Sequence, residues 1–334
     1  QTCALPIYNR LIYKCCYLYY MDGLGQKEIC DQLGISRATV SRLLKAGKEN
    51  GVVRIELDNP DSILYGELER KIEQQLGLKE VLIVDEMELE SKADHMQRVY
   101  EEALAYLARI FHNKDYIGVS MGKTLYHLAN GKINVEEVDC TFVPVVGGVG
   151  TQLQSDEGYH SNEIANAFAK KFHGSAVQFF APAMFNDTQI MEGFLKERPV
   201  QEVTALFKKL KTVIMGIGSC SLKDSTLVKC GYISKADYEQ FKQHGAVGDV
   251  LLKFLDKNGN SEPFHEFNDR VMGLSDEGLM NIENRIGIAV GEEKSKAILG
   301  VIRAKKINIL ITDISCVKEL LSLMEEEESS CQTI

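Results

Sequence analysis

One glycine-rich segment carries the side chains best suited to binding an oxyanion. It reads Gly118-Val-Ser120-Met-Gly122-Lys123-Thr124 and lies between a short apolar run and a stretch with helical spacing. The glycines let the backbone approach an anion, the hydroxyl groups and helix N–H groups donate hydrogen bonds, and the lysine adds positive charge. The spacing matches neither a Walker A loop nor a dinucleotide-binding GxGxxG loop. A sugar phosphate is therefore a suitable ligand, and a glycine-rich turn without a ligand is the alternative.

Further glycine-rich loops follow other apolar runs and are expected at the same edge of a sheet. The carboxylate of Asp249 is suited to accept hydrogen bonds from sugar hydroxyl groups. Lys294 falls in the first turn of a helix, where a cation opposes the helix dipole, which indicates an anionic partner. An ordinary cap or surface charge is the alternative for both residues. The loops are Gly147-Gly148-Val-Gly150, Gly216-Ile-Gly218-Ser219, Gly245-Ala-Val-Gly248-Asp249 and Gly291-Glu-Glu-Lys294.

Carboxylates near such loops also allow an enzyme. Asp85, Asp249, Glu266 and Asp313 are candidates for the acid or base of a sugar-phosphate isomerase or deaminase. A cap or a surface charge is the more common explanation for such a carboxylate, and we assign no catalytic residue. The seven His form no HxH or HExxH pattern and the nine Cys form no CxxC pair, so neither a metal site nor another cofactor is expected.

A basic segment, residues 26–45, has the spacing of a helix-turn-helix. Gly34 suits the tight turn between its helices, and Ser36 is a good N-cap for the second helix. Side chains of that helix are suited to base edges or phosphates, and an alternating stretch at 51–57 predicts a wing strand whose Arg54 touches the DNA backbone. A helical hairpin used only for dimerisation is the alternative. The predicted DNA-binding residues are Gln26, Ser36, Arg37, Thr39, Ser41, Arg42, Lys45 and Arg54.

Charge is divided unevenly along the 334-residue chain. The net charge of −10 argues against a protein that coats nucleic acid through bulk positive charge. Residues 1–60 nevertheless carry eight basic and six acidic side chains, so they contribute +2 and the remainder −12. The turn signal Asn59-Pro60-Asp61 separates the two parts. We therefore expect a small basic module joined to an acidic body.

The elements after residue 78 predict an α/β domain. Short apolar runs alternate with helix-like segments, which is typical of a parallel sheet covered by helices on both faces. We expect a winged helix-turn-helix domain at 8–58, a connecting helix at 59–77, a doubly wound, mostly parallel sheet domain at 78–324 and a frayed acidic tail at 325–334. Residues 1–7 are left out of the fold prediction, and whether they are native stays open. The apolar runs are 81–84, 116–119, 141–146, 176–180, 212–215, 286–290 and 307–311.

The cellular compartment is predicted from the cysteines and the hydropathy. Most of the nine Cys lie in apolar or small-residue surroundings, where a reduced thiol acts as a small hydrophobic group. No apolar stretch has the length that a membrane span needs, and the first residues lack the basic region and cleavage site of a signal peptide. We expect a cytoplasmic protein without a membrane partner.

With these motifs in place, the chain resembles the SorC family of bacterial sugar-responsive transcriptional regulators, from about Asn9 to Leu321. The order and spacing of the motifs together carry the resemblance. The motifs are the helix-turn-helix at 24–51, the Gly118 to Thr124 loop, Gly147-Gly148, Ala181-Pro182-Ala183, Gly216-Ile-Gly218-Ser219, Gly245-Ala-Val-Gly248-Asp249, Gly291 with Lys294, Ala297 and Ile298, and Leu310-Ile-Thr312-Asp313.

The resemblance implies a sensor domain similar to the glucosamine-6-phosphate deaminase and ribose-5-phosphate isomerase fold, without enzymatic turnover. It also implies a homo-oligomer, commonly a tetramer, whose affinity for operator DNA responds to a phosphorylated sugar. By position it assigns phosphate binding and further effector contacts to particular residues. Ser120, Gly122, Lys123 and Thr124 match the phosphate positions, and Asp249 and Lys294 match further ligand contacts.

Beyond the absence of Gln or Asn from Pro144-Val-Val146, two positions depart from the family pattern. Val146 stands where certain members have a lysine able to form a Schiff base, which makes covalent effector capture there unexpected. Met121 stands where an aromatic residue is common. The sequence thus predicts a regulator, by our expectation a repressor of carbohydrate-metabolism genes. A sugar-phosphate isomerase or deaminase with an accessory DNA-binding module is the alternative, and dimer and tetramer both stay open.

Overall fold

The computed structural model describes residues 4–55, 64–131, 133, 135–148, 159–221 and 225–331. It divides into two compact units, the first ending at Leu64 and the second beginning at Tyr65. The predicted boundary between residues 58 and 59 lies outside the described residues. Each unit has its own apolar core.

Among its described residues, the first unit contains three helices, α1 (Ala4–Tyr20), α2 (Gln26–Leu33) and α3 (Arg37–Glu49). Gly34 ends α2 with φ +63°, a left-handed conformation that suits glycine, and the Ser36 hydroxyl caps α3 by accepting a hydrogen bond from the Thr39 amide at 3.2 Å. Helices α1 and α3 approach closely at Gly47, where an added Cβ would lie 2.3 Å from Cys16 Sγ. The core of the unit consists of Ile12, Cys15, Cys16, Leu18, Ile29, Val40, Leu43 and Leu44.

The predicted wing strand is wrong for the residues described. Gly51 has φ +70° and the chain continues to residue 55 without a strand. The Val53 amide donates to the Gly47 carbonyl at 3.0 Å, so the segment folds back on α3 and pairs with no described strand. Arg54 is exposed on this segment, and Glu56 and Leu57 lie outside the described residues.

The second unit is an α/β domain. Its strands are β1 (Glu80–Val84), β2 (Tyr116–Val119), β3 (Thr141–Pro144), β4 (Ser175–Ala176), β5 (Leu210–Ser219), β6 (Ala246–Val250), β7 (Lys253–Asp256), β8 (Asn284–Ile288) and β9 (Ile309–Asp313). Its helices are α4 (Gly66–Leu76), α5 (Lys92–Ile110), α6 (Lys123–Asn130), α7 (Ser161–Phe172), α8 (Thr188–Phe194), α9 (Arg198–Leu206), α10 (Thr226–Lys229), α11 (Lys235–Gln243), α12 (His265–Asn268), α13 (Asp276–Met280), α14 (Ser295–Arg303) and α15 (Ile314–Cys331).

In the described part of this unit, seven strands form a parallel sheet in the order β1-β9-β8-β5-β2-β3-β4. The end of β5 continues into an antiparallel extension with β6 and β7. Neighbouring residues of β5 point to opposite faces of the sheet, since Val213 and Met215 belong to one apolar core and Ile214 to another. Helices therefore cover both faces, and the predicted doubly wound, mostly parallel fold is confirmed.

Three predicted segments differ in extent. The connecting helix begins at Gly66 and ends at Leu76, and the run at 176–180 is strand only at Ser175–Ala176. The expectation of a frayed acidic end is wrong for the described residues, because α15 continues to Cys331 and Glu327 forms an ion pair with Arg303.

Within the part of the chain that is described, we find no helix whose length and apolar character would let it cross a membrane.

Candidate functional site

A cavity of about 710 Å³ opens at the carboxyl ends of β2, β5 and β8. The loop after β2 forms one wall, residues 216–219 at the end of β5 form the floor, and the segment from Val290 to Lys294 forms another wall. The first turns of α5 close a further side. Ligands of open α/β sheets bind at this edge, because loops and helix N-termini meet there. The predicted convergence of the glycine-rich loops after β2, β5 and β8 is thus present.

The N-terminus of α6 lies at this cavity and is suited to bind an anion. Gly122 precedes the helix with φ +124°, and its carbonyl accepts a hydrogen bond from the Tyr126 amide at 3.0 Å. The N–H groups of the first helical turn have no intrahelical acceptor, and Gly122 has no side chain to cap them. Lys123 and Thr124 line the cavity beside them. The arrangement supplies amide, hydroxyl and ammonium donors for a phosphate.

Gly118 and Ser120 lie outside the cavity lining. Ser120 is 2% exposed, and its amide donates to the Ile214 carbonyl at 3.1 Å. A Cβ added at Gly118 would lie 2.7 Å from Val145 Cγ1. Both residues hold β2 against its neighbours and so set the position of the loop that follows, while their assignment to effector binding stays a prediction.

Gly147 and Gly148 are also absent from the cavity lining. Their amides donate to the Met272 carbonyl at 2.9 Å and to the Phe179 carbonyl at 3.1 Å. An added Cβ would lie 2.2 Å from the Pro182 carbonyl oxygen at Gly147 and 2.2 Å from the Asn162 side chain at Gly148. Close packing thus accounts for this glycine pair, and its predicted effector contact stays a prediction; Gly150 lies outside the described residues.

Asp249 and Lys294 bring opposite charges to the cavity. Asp249 is paired with Gly218 across β6 and β5, and a Cβ at Gly218 would lie 2.1 Å from its Oδ1, so only a glycine leaves room for this carboxylate. Burial raises the pKa of Asp249 to about 6, while the nearby Lys294 ammonium acts to lower it. The Lys294 ammonium also donates to the Ile217 carbonyl at 2.8 Å. A carboxylate so placed is suited to accept hydrogen bonds from hydroxyl groups.

Sequence reasoning missed the wall formed by α5. Lys92, Met96, Gln97 and Tyr100 of this helix line the cavity, together with His127, whose ring stacks with that of Tyr100 at 6.2 Å between centroids. The capping pattern that begins at residue 91 signals where this helix starts. It does not signal which side chains face the cavity, because that depends on how α5 packs on the sheet.

The first unit presents a polar face on α3. Arg37, Ser41, Arg42 and Lys45 are exposed, whereas Val40, Leu43 and Leu44 on the other side of the helix are buried. A recognition helix needs this division, because one face packs on the partner helices while the other enters the major groove.

Short-range contacts order the beginning of α3. The hydroxyl groups of Ser36 and Thr39 lie 2.9 Å apart, and the Arg42 guanidinium lies 3.5 Å from the Thr39 hydroxyl. The Arg37 guanidinium donates to the Gln26 side-chain oxygen at 3.5 Å. Seven predicted DNA contacts therefore lie on α3 or at the ends of α2 and α3, and Arg54 follows them on the segment without a strand. Their contact with DNA stays a prediction.

Comparisons with known proteins identify the family. The model of a "putative sugar-binding domain" family matches residues 63–322, which is most of the chain. The sorbitol operon regulator of Klebsiella pneumoniae is 29% identical over 318 residues, covering 93% of this chain and 98% of that protein. The crystal structure of the full-length regulator SorC from Klebsiella pneumoniae matches with a TM-score of 0.68 and 27% identity, covering 93% of this chain and 98% of that one. This chain belongs to the SorC family.

Another relative is the deoxyribonucleoside regulator of Bacillus subtilis (strain 168), 28% identical over 309 residues, which covers 91% of this chain and 95% of that protein. These relatives are transcriptional regulators and not sugar-phosphate isomerases or deaminases. The chain is accordingly a transcriptional regulator rather than an enzyme, and the alternative considered from the sequence is not supported.

The two departures from the SorC-family pattern have different surroundings. Val146 is 1% exposed, lies outside the cavity lining and pairs with Gly273 in an isolated bridge. Because valine has no amine, this chain forms no Schiff base at that position. Met121 is 5% exposed and lines the cavity, where it provides a flexible apolar surface in place of a ring.

Proposed function

We propose that this chain represses carbohydrate-metabolism genes and that a phosphorylated sugar controls its binding to operator DNA. The observation that carries the proposal is the cavity in which the N-terminus of α6, with Lys123 and Thr124, shares one space with Asp249 and Lys294. A phosphate fits the helix N-terminus and the two cations, and the hydroxyl groups of a sugar fit the carboxylate. The names of two relatives, a sorbitol operon regulator and a deoxyribonucleoside regulator, support a sugar or sugar derivative as the signal.

In this proposal α3 reads the operator in the major groove. The protein acts in the cytoplasm. It is a homodimer or homotetramer, because one helix-turn-helix covers only a half-site and regulators of this type bind repeated half-sites. The effector changes operator affinity by binding more tightly to one of two arrangements of the oligomer.

The test is operator binding with and without phosphosugars. Fluorescence anisotropy on DNA from the promoter region of its own gene, at moderate salt, measures affinity. The probes are glucose 6-phosphate, fructose 6-phosphate, sorbitol 6-phosphate and 2-deoxyribose 5-phosphate, each beside its unphosphorylated counterpart. We expect sequence-specific binding that one phosphorylated probe changes and its unphosphorylated counterpart does not. Absence of specific binding, or binding that no probe changes, would contradict the proposal.

A further inference from the structure

Asp313 ties together two walls of the cavity. It lies at the end of β9 and is 1% exposed. Its two carboxylate oxygens accept hydrogen bonds from the Gly291 amide at 3.1 and 3.2 Å. Its Oδ2 also lies 3.2 Å from His95 Nε2. Gly291 belongs to the loop that carries Glu293 and Lys294, and His95 lies on α5, which forms the opposite wall. A ligand that touches both walls therefore acts on both ends of this contact.

The contact continues away from the cavity through Arg98. Its Nη2 lies 3.4 Å from His95 Nδ1 and donates to the Asp85 carbonyl at 2.7 Å. Glu90 holds the guanidinium with two bonds, at 3.1 and 2.5 Å. The Tyr65 hydroxyl then donates to the Asp85 carboxylate at 2.5 Å.

The far end of this chain of contacts is the start of the second unit. Tyr65 is the first residue of that unit and immediately precedes α4. Two hydrogen bonds hold helix α4 on the edge strand β1. The Glu69 carboxylate accepts one from the Ile83 amide at 2.8 Å, and the Glu73 carboxylate accepts one from the Val81 amide at 3.1 Å. The contacts thus run without a break from the cavity walls to the residue at which the chain joins the two units.

A metal ion is the other use to consider for these groups. Glu86, His95 and Asp313 place one ligand atom each within 4.8 Å of one another. The Arg98 guanidinium beside His95 already supplies positive charge there, and Asp313 already accepts bonds from Gly291, His95 and Ser315. Hydrogen bonding therefore accounts for the cluster without an ion.

We propose that Asp313, His95, Arg98, Asp85 and Tyr65 form a polar relay that transmits occupancy of the cavity to the joint with the DNA-binding unit. The inference rests on the proposed function and adds the route of its regulation. Asp313 and His95 are buried, and Tyr65, Asp85 and Arg98 are half-buried. Polar groups shielded from water are costly to leave unpaired, so a shift of the Gly291 loop or of α5 favours a matching shift of their partners. None of the relay residues lines the cavity, and all of them belong to the second unit. Their loss therefore lowers the coupling between the two sites and leaves each affinity intact.

The test compares Tyr65→Phe and Arg98→Lys with a matched control pair. Tyr106 and Arg109 make the same kinds of contact with the Glu80 carboxylate, and both lie on α5 like Arg98, but they stand outside the relay. Tyr106→Phe and Arg109→Lys are the controls. The coupling factor is the ratio of the operator affinities measured with and without phosphosugar. The phosphosugar used is the one, among the four probes named above, to which the wild-type chain responds.

We expect Tyr65→Phe to lower the coupling factor by about fivefold, the effect of one lost hydrogen bond. Phosphosugar affinity without DNA and operator affinity without phosphosugar should stay within about twofold of wild type, less than the loss of one such bond. The same drop must appear when phosphosugar affinity is measured with and without operator DNA, because coupling is reciprocal. Arg98→Lys should act in the same direction, since an ammonium cannot serve its partners in the planar geometry of a guanidinium.

The outcomes separate the relay from the proposed function. A wild-type response that survives Tyr65→Phe and Arg98→Lys overturns the relay alone. An equal drop in the control variants also overturns it, because loosening of α5 would then explain the effect. If the wild-type chain responds to no phosphosugar, the proposed function fails and the relay fails with it.

Discussion

At the scale of single residues, the two sites depend on opposite kinds of exposure. Arg42 is exposed, and its guanidinium lies 3.5 Å from the hydroxyl of Thr39 on the same helix, so it remains accessible to DNA. Asp249 is half-buried under the constraint of Gly218, and burial raises its pKa. Substitutions at these two positions should therefore affect different measurements.

Arg42→Ala is expected to weaken operator binding by about tenfold or more, the effect of a lost base or phosphate contact. Phosphosugar affinity should stay unchanged, because Arg42 belongs to the first unit and the residues that line the cavity belong to the second. Anisotropy on operator DNA and calorimetry with the responding phosphosugar measure the two effects. Lys14→Ala removes one exposed positive charge from α1 and is the control. A parallel loss of both affinities, or an equal effect of the control, would contradict the assignment of α3.

Asp249→Asn is expected to stabilise the folded protein while weakening phosphosugar binding. Because the folded pKa is about 6 and the ordinary value is 3.8, the folded state binds more protons between these values. The contribution of Asp249 to stability is thus most favourable below about pH 3.8 and is lost as the pH rises through about 6.

Denaturant unfolding checks this sign. At pH 7.5 the variant should gain about 1 kcal/mol, less than the full pKa shift implies because the side chain is only partly shielded from solvent. The gain should shrink toward pH 4. Asp139→Asn, at an exposed carboxylate, is the control and should change little at either pH. A gain that is independent of pH would show that the burial of charge is not its cause.

At the scale of elements, helix α6 is useful because of how it begins. Gly122 combines φ +124° with ψ 164°, a conformation that side chains rarely adopt, and this geometry leaves the first-turn amides facing the cavity. The glycine pair 147–148 serves packing instead, which shows that a glycine-rich loop has two quite different structural uses.

Gly122→Ala should lower the free energy of unfolding by about 1–3 kcal/mol and weaken phosphosugar binding. A Cβ at this position meets no atom within 4 Å, so any loss comes from backbone conformation rather than from a clash. Gly193→Ala is the matched control, since its Cβ also meets no atom within 4 Å and its φ is not in the left-handed region. Thermal unfolding and calorimetry are the measurements. Equal effects of the two substitutions would contradict the role of the Gly122 conformation.

At the scale of the whole molecule, the two parts of the chain carry net charges of opposite sign. Residues 1–60 contribute +2 and the rest of the chain −12. The acidic part repels DNA phosphates, so operator binding must come from a small number of local cationic contacts. This division makes operator affinity sensitive to salt.

Raising the salt from about 50 to about 200 mM should weaken operator binding by at least about tenfold, because counterions released from DNA oppose binding at higher salt. Arg42→Ala should reduce the slope of log affinity against log salt by about one. Titrations at four salt concentrations measure both slopes. An operator affinity independent of salt would contradict phosphate contacts by the basic segment.

Local sequence determined the helix-turn-helix and the positions of the glycine-rich loops. Gly34 and Ser36 act on neighbours within a few residues, so their turn and cap are visible in the sequence. Alternation of apolar runs with helices likewise predicts the parallel sheet and the edge at which loops gather. The predicted wing is not a strand at 51–55, the part that is described, and a strand depends on a partner that the local pattern does not specify.

Only the tertiary structure decided which side chains share the cavity. Lys123, Thr124, Asp249 and Lys294 line it, whereas Gly147 lies in close packing elsewhere, although all five were predicted from the sequence to contact the effector. The wall of α5 and the polar relay join residues far apart in the chain, such as His95 and Asp313, which are 218 positions apart. Such contacts arise from the packing of whole elements, and no spacing pattern within one segment encodes them.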